Sequence, residues 1–223
     1  MSEGTEHLRA YTALREIILL GALAPGQSLT IHGAAARIDA GITPVREAIR
    51  RLVSEGALEL GENRRITVPR MTAAQLADVT LARTRLEPEL ARRAVGALDD
   101  AGIARLEASD SSARLALAQG DLPGFLRHNR DFHFGIYEAG DSAVLRQIVG
   151  ALWLRLGPAM CAVSGFFHDE AGGLSTGTDE DEPHRMALAA LRARDAEALG
   201  KAIEQDIARG TALLVRGINE GKL

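Results

Sequence analysis

The chain has 223 residues, 46% of them hydrophobic and 25% charged, with a formal net charge of −4 and one cysteine, Cys161. This is the composition of a soluble protein with one large domain or two small ones, and it excludes both a polycation that coats nucleic acid and a disulfide-stapled scaffold. No apolar run approaches the roughly 20 residues that span a bilayer, and the polar opening Met1 to His7 is no export signal, so the chain reads as cytoplasmic with no membrane partner.

In chain order, Leu8, Tyr11, Leu14, Ile17 and Ile18 recur at helical spacing and predict a first helix over about 6–20, ended by Gly21 and Pro25-Gly26. Thr30 caps a short second helix to Ile38, and Asp39-Ala40-Gly41 predicts a tight turn with the glycine at positive φ. The third helix, Thr43 to Ser54, has an apolar stripe of Val45, Ala48, Ile49 and Leu52. Thr43, Arg46, Glu47, Arg50 and Arg51 lie mostly off it. Pro44 sits in the first turn, where a missing N–H costs nothing, and Gly56 stops the helix. Ala57 to Leu60 and Arg65 to Val68 then alternate as half-buried strands around a turn at Gly61-Glu62-Asn63. Helix, helix, turn, helix, hairpin is the order of a winged helix-turn-helix, whose third helix enters the major groove.

Beyond Pro69 the strand signal is gone and helix follows helix, so the chain divides into 1–70 and 71–223 and the fold is mainly α. Thr72 caps a helix that reaches about Leu98 with a kink at Pro88, and Asp99-Asp100 opens the next, Ala101 to Gln119. Asp121 caps a helix to Ala139, and Ser142 to Leu156 forms another with Pro158 beyond its end. The glycine-rich, acidic stretch 165–183 reads as a loop, with Phe166–Leu174 a candidate lid. Two last helices cover about 184–192 and 195–217, so the second region is an all-α antiparallel bundle.

Any DNA binding rests on where a few arginines sit, because residues 1–70 carry nine arginines against eight acids. Arg46 and Arg50 are one turn apart, and with Thr43 at the exposed N-terminal end they can reach phosphates and guanine edges. Arg64 and Arg65 beside the hairpin turn, and His32 at the start of helix two, complete the candidate DNA contacts. For an isolated helix the ordinary account would be a solvated face with Glu47 pairing Arg51; the surrounding element order favours double-stranded DNA.

The run from Thr43 to Gly56 resembles the recognition-helix signature of GntR-type transcription regulators, and Pro25-Gly26-Gln27-Ser28-Leu29 is similar to their segment before helix two. Arg83-Thr84-Arg85-Leu86-Glu87, Phe132-His133 and Pro183-His184-Arg185 resemble the all-helical FCD effector domain of the FadR-like branch. The chain departs from the pattern at Gly41-Ile42, where Ser-Arg is usual, and at Arg65, where the wing glycine is usual. The resemblance implies that Ile42, standing where the pattern has an arginine, leaves this chain without one expected DNA contact.

A second constellation lies in the helical region. Asn129 and His133 are four apart on a helix whose other inward positions are Phe125, Phe132 and Ile136, a polar pair facing an apolar interior. A turn near 193–195 folds the last two helices into a hairpin. His184 stands about nine residues before that turn and Asp206 about twelve after, which at ~1.5 Å per residue puts them at similar heights. The four groups are a donor set for a divalent ion, Zn²⁺, Ni²⁺, Mn²⁺ or Fe²⁺. Spacing alone favours two buried histidines satisfied by hydrogen bonds. The resemblance adds the metal: metal-binding FCD domains use Asp or Asn, a His four residues on, and two further His. Asn129, His133 and His184 match three of those positions, and Asp206 replaces the last His.

Around that site, Arg83 and Arg155, the latter beside Trp153, are candidates to pair with the carboxylate of an effector. The expectation is a homodimeric transcription regulator on a palindromic operator, controlled by a small organic acid. Its rival is a helical metal-dependent enzyme that activates water at the same four residues, although the sequence offers no separate general base or nucleophile beside them.

Overall fold

The structure, a computed structural model, describes residues 3–61, 65–174 and 182–223. The chain forms two units. One is Met1–Met71 joined by Ala151–Ala162 and the terminal Leu223; the other is Thr72–Gly150 with Val163–Lys222.

In the first unit, helices α1 (Glu3–Leu19), α2 (Ile31–Ile38) and α3 (Ile42–Ser54) are accompanied by the short strands β1 (Ser28–Leu29), β2 (Glu59–Leu60) and β3 (Ile66–Thr67). Thr30 caps α2 by accepting from the Gly33 amide at 3.0 Å. Asp39, with φ 50°, and not Gly41, with φ −67°, takes the left-handed turn between α2 and α3, a conformation that Asp tolerates better than most residues. At the other end of α3, Gly56 is at φ 72°. The Gly56 amide bonds to the Val53 carbonyl at 3.0 Å and the Ala57 amide to the Leu52 carbonyl at 2.9 Å, a Schellman closure. That closure commits Ala57 and Leu58 to the core, 2% and 1% exposed, so β2 is shorter than the alternation predicts.

The hairpin gains a third strand that the sequence did not signal. β3 lies between β1 and β2, antiparallel to both, with Ile66 opposite Leu29 and Leu60, and Thr67 opposite Ser28 and Glu59. The core of this unit joins Leu14, Ile18, Val45, Ile49, Leu52 and Leu58 to Leu154, which arrives from far along the chain.

The second unit holds α4 (Ala73–Ala94), α5 (Asp100–Ala118), α6 (Leu122–Ala139), both ends of α7 (Ala143–Leu174), α8 (Pro183–Ala193) and α9 (Ala196–Asn219). Side chains start most of them. Thr72 and Gln75 form a capping box on α4, and Asp99, Asp121, Glu182 and Asp195 cap α5, α6, α8 and α9. α4 packs on α9 and α6, α5 on α6 and α8, and α8 on α9.

Two expectations are corrected in α7. The helix continues through Pro158, although proline in a helix interior costs about 3 kcal/mol, because apolar positions are buried on both sides of it: Leu154, Leu156, Ala159 and Val163 are at most 3% exposed. Residues 165–174, read as the start of a loop, are helical. Phe166, read as part of a lid, is buried, with the Arg216 guanidinium 3.9 Å and the Lys222 ammonium 3.7 Å from its ring centre. Of the rest of the predicted loop, 175–181 lies outside the described residues, and Glu182 and Pro183 are the N-cap and first residue of α8.

Candidate nucleic-acid interface and metal centre

Helix α3 buries Val45, Ala48, Ile49 and Leu52 and turns Thr43, Arg46, Glu47, Arg50 and Arg51 to solvent. The charge pairing differs from the expected Glu47 to Arg51. Arg50 meets Glu47 at 2.6 Å, while Arg51 turns to Glu55 at 3.0 Å. The reason is Tyr11 on α1: its hydroxyl donates to the Glu55 carboxylate at 2.8 Å, and its ring lies 3.7 Å beneath the Arg51 guanidinium. Arg46 and Arg50 therefore remain on the open face. The Arg50 pair with Glu47, solvent-exposed, is worth about 0–1 kcal/mol and is readily exchanged for a phosphate or base. His32 is exposed in the first turn of α2 and Arg65 is exposed just before β3. Arg64 lies outside the described residues.

In the second unit, three helices bring His133 (α6), His184 (α8) and Asp206 (α9) together. The α8–α9 hairpin sets His184 Nε2 3.7 Å from Asp206 Oδ1, and His133 Nε2 is 3.2 Å from Asp206 Oδ2 and 3.2 Å from His184 Nε2. His133 is fully buried, His184 nearly so, and Phe132 stacks on the His184 ring at 4.1 Å. Asn129 is half-buried one turn before His133 on α6.

The outer nitrogens of both rings are spoken for. His184 Nδ1 lies 3.0 Å from Asp110 Oδ1, and Arg114 pairs with the other oxygen of that carboxylate. The Tyr137 hydroxyl donates to Glu87 Oε2 at 2.7 Å, so its oxygen accepts from His133 Nδ1–H at 3.2 Å. Burial and the charge of Glu87 push the Tyr137 phenol well above its ordinary pKa, which keeps it a donor. Neutral rings held this way turn two Nε2 lone pairs toward each other and toward a carboxylate. Such a centre is stable only around a positive charge, a proton or a metal ion.

The charge balance agrees. Burial alone would raise the Asp206 carboxyl, yet the neighbouring His133, His184 and Arg83 hold it far below the usual carboxylate range. Burial opposes protonation of His184, but the bond to Asp110 and the charge of Asp206 raise its pKa above the ordinary histidine value. The spacing also suits a metal. Ligand atoms about 2.0–2.1 Å from a common ion in tetrahedral array stand roughly 3.3 Å from one another. The two 3.2 Å separations at His133 Nε2 match that edge.

The two arginines proposed for an effector are both otherwise engaged. Arg83 is buried and grips Glu87 through two bonds, Nε at 2.6 Å and Nη2 at 3.1 Å. It acts on the buried centre directly, through its charge on Asp206, and indirectly, through Glu87 and Tyr137. Arg155 belongs to the first unit, where its Nε donates to the Glu55 carbonyl at 3.1 Å. The sequence places Arg155 beside Trp153, but periodicity says nothing about which unit that turn of α7 joins. Asp110, Glu87 and Tyr137 were not singled out, though each had a signal. Asp110 interrupts the apolar stripe of Ile103, Leu106 and Ala113, and Glu87 and Tyr137 lie one turn after Arg83 and His133.

Two family models divide the chain between them. The model for bacterial regulatory proteins of the gntR family matches residues 7–68, and that for the FCD domain matches residues 78–209. The chain belongs to the GntR family, FCD branch. It is a DNA-binding transcription regulator with a C-terminal effector-binding domain. Among its relatives is the HTH-type transcriptional regulator McbR of Escherichia coli K12, 29% identical over 95% of this chain and 94% of McbR. The solved structure of E. coli McbR/YncC superposes with a TM-score of 0.86 at 28% identity, over 98% of this chain and all of that one. A GntR regulator structure from Rhodococcus sp. RHA1, 20% identical with a TM-score of 0.69 and coverage of 95% and 98%, shares the fold. These GntR relatives are regulators and lend no support to the enzyme reading. Among the described residues, no helix is long and apolar enough to cross a membrane.

Proposed function

We propose that this GntR regulator works in the cytoplasm as a homodimer on a palindromic operator. Its FCD domain holds a divalent ion through His133, His184 and Asp206, with Asn129 as a further donor, and senses a small carboxylate there. The observation that carries the reading is the convergence of two Nε2 lone pairs and one carboxylate in a buried centre whose outer nitrogens are already committed. Two imidazoles with oxygen donors suit Zn²⁺, Ni²⁺, Mn²⁺ or Fe²⁺, and the Asp206 oxygen in place of a third imidazole favours relaxed selectivity among them. When bound, the ion supplies a Lewis-acidic position for a carboxylate oxygen of the effector. The chain's own part is to fix that position: Asp110 and Tyr137 set the ring tautomers, and Phe132 screens one face of His184 from water.

DNA readout falls to Thr43, Arg46 and Arg50 on α3, helped by His32, Arg64 and Arg65. One recognition helix reads only a few base pairs, so useful affinity calls for a second copy about one helical turn away. A dimer surface is available on α4 and α9, where a groove of about 550 Å³ is lined by Leu76, Leu81, Val215 and Ile218, with Leu81 60% and Val215 45% exposed. The test is calorimetric. Metal-free protein titrated with Zn²⁺, Ni²⁺ and Mn²⁺ should bind one ion per chain, and the loaded protein should then bind members of a di- and tricarboxylate panel. An absence of metal uptake by the wild type rejects the reading.

A further inference from the structure

The middle of α7 is the part of the chain that the sequence misassigns most. Residues 151–162 lie within the matched FCD segment yet cluster with the DNA-reading unit. Three contacts join them to it. Leu154 is fully buried in the same apolar cluster as Val45, Ala48, Ile49 and Leu52 of α3, with Trp153 packed against that cluster. Gly157 permits a close approach to α1: a Cβ there would stand 2.6 Å from the carbonyl oxygens of Ile18 and Leu19. Arg155 bonds to the Glu55 carbonyl at 3.1 Å and lays its guanidinium over Gly56, where an added Cβ would meet Nη2 at 2.5 Å.

The last of these falls at a sensitive place. Glu55 is the C-cap of α3, and its carboxylate already takes Tyr11 from α1 and Arg51 from α3 itself. A cation beside the C-terminal carbonyls of a helix is favoured by the helix dipole, and a donor there satisfies an orphan acceptor. The C-terminal end of the recognition helix is thus fixed by α1 through Tyr11 and by α7 through Arg155, while its N-terminal half presents Thr43, Arg46 and Arg50.

We infer that Leu154 and Arg155 of α7 are positioning residues for the recognition helix, which they hold in its reading orientation from the side opposite its N-terminal DNA contacts. They set how well operator is told from other DNA without touching DNA. The test uses the full-length protein and the tightest 24-base-pair duplex that the wild type selects from a random library. Arg155→Ala should lose roughly threefold to tenfold in affinity for that duplex, the size of one hydrogen bond, with little change on a scrambled duplex. Its salt slope should equal the wild type's, because no phosphate contact is removed. Hydrogen exchange should quicken at the amides of Glu55, Gly56 and Ala57 and stay unchanged in α2. Leu154→Ala should show the same loss of discrimination with a lower Tm. If Arg155→Ala does not fold, Arg155→Lys, which keeps the stem, is read by the same measurements. An unchanged ratio of selected to scrambled affinity overturns the inference, and so does a salt slope reduced by about one, which would make Arg155 a phosphate contact.

Discussion

The open face of α3 and the buried centre at His133 are both clusters of charged side chains, and they obey opposite rules. On α3, Arg50 and Glu47 meet at 2.6 Å with side chains 66% and 47% exposed. In the centre, Arg83 and Glu87 meet at the same distance with side chains 8% and 0% exposed. Water screens the first pair, so it costs little to form and little to break, which suits a surface that must exchange partners with DNA. The second pair has lost its water. Each charge there depends on its neighbours, which suits the proposed ion site, where donor atoms would have to stand in place before an ion arrives.

The largest effect that would sharpen this contrast is removal of the donors. His133→Ala with His184→Ala should abolish measurable Zn²⁺ uptake in calorimetry, and retained uptake would mean that the ion sits elsewhere. Next comes Glu87→Ala, which strands the buried Arg83 guanidinium and should cost about 3–5 kcal/mol in urea unfolding. Asp110→Asn, which weakens the hold on His184, should lower metal affinity about 10–100-fold with DNA affinity in the metal-free protein unchanged. Arg46→Ala should cost about 1–3 kcal/mol in operator binding with stability intact. The smallest effect is Glu47→Ala, within about 0.5 kcal/mol of wild-type stability. A Glu47→Ala cost as large as that of Glu87→Ala would break the comparison.

The sequence made the exposed cluster legible because Arg46 and Arg50 sit off an apolar stripe, and the centre half legible because His133 sits on one. The capped helix starts at Thr30, Thr72, Asp99 and Asp121 were readable from local chemistry, since a cap needs only its own first turn. Asp39 in the left-handed turn was missed because a nearby glycine is the stronger signal. β1 was missed because a two-residue strand has no period. Pro158 misled for a physical reason: its penalty is local, whereas the burial that outweighs it comes from distant residues. Arg155 was misplaced for the same kind of reason, since helical spacing fixes a face and not the unit that covers it.

The insertion of α7 into the reader also has a consequence for how the protein is made. The first 71 residues leave the ribosome well before Leu154 exists, and the stretch to residue 162 takes roughly 5–20 s at ordinary rates of synthesis. Through that interval the nascent reader carries an unfilled apolar seat beside α1 and α3. If Leu154 and Arg155 position the recognition helix as inferred, full operator discrimination is gained late, after α4, α5 and α6 have been synthesised, and a product truncated before α7 would tell operator from other DNA less well.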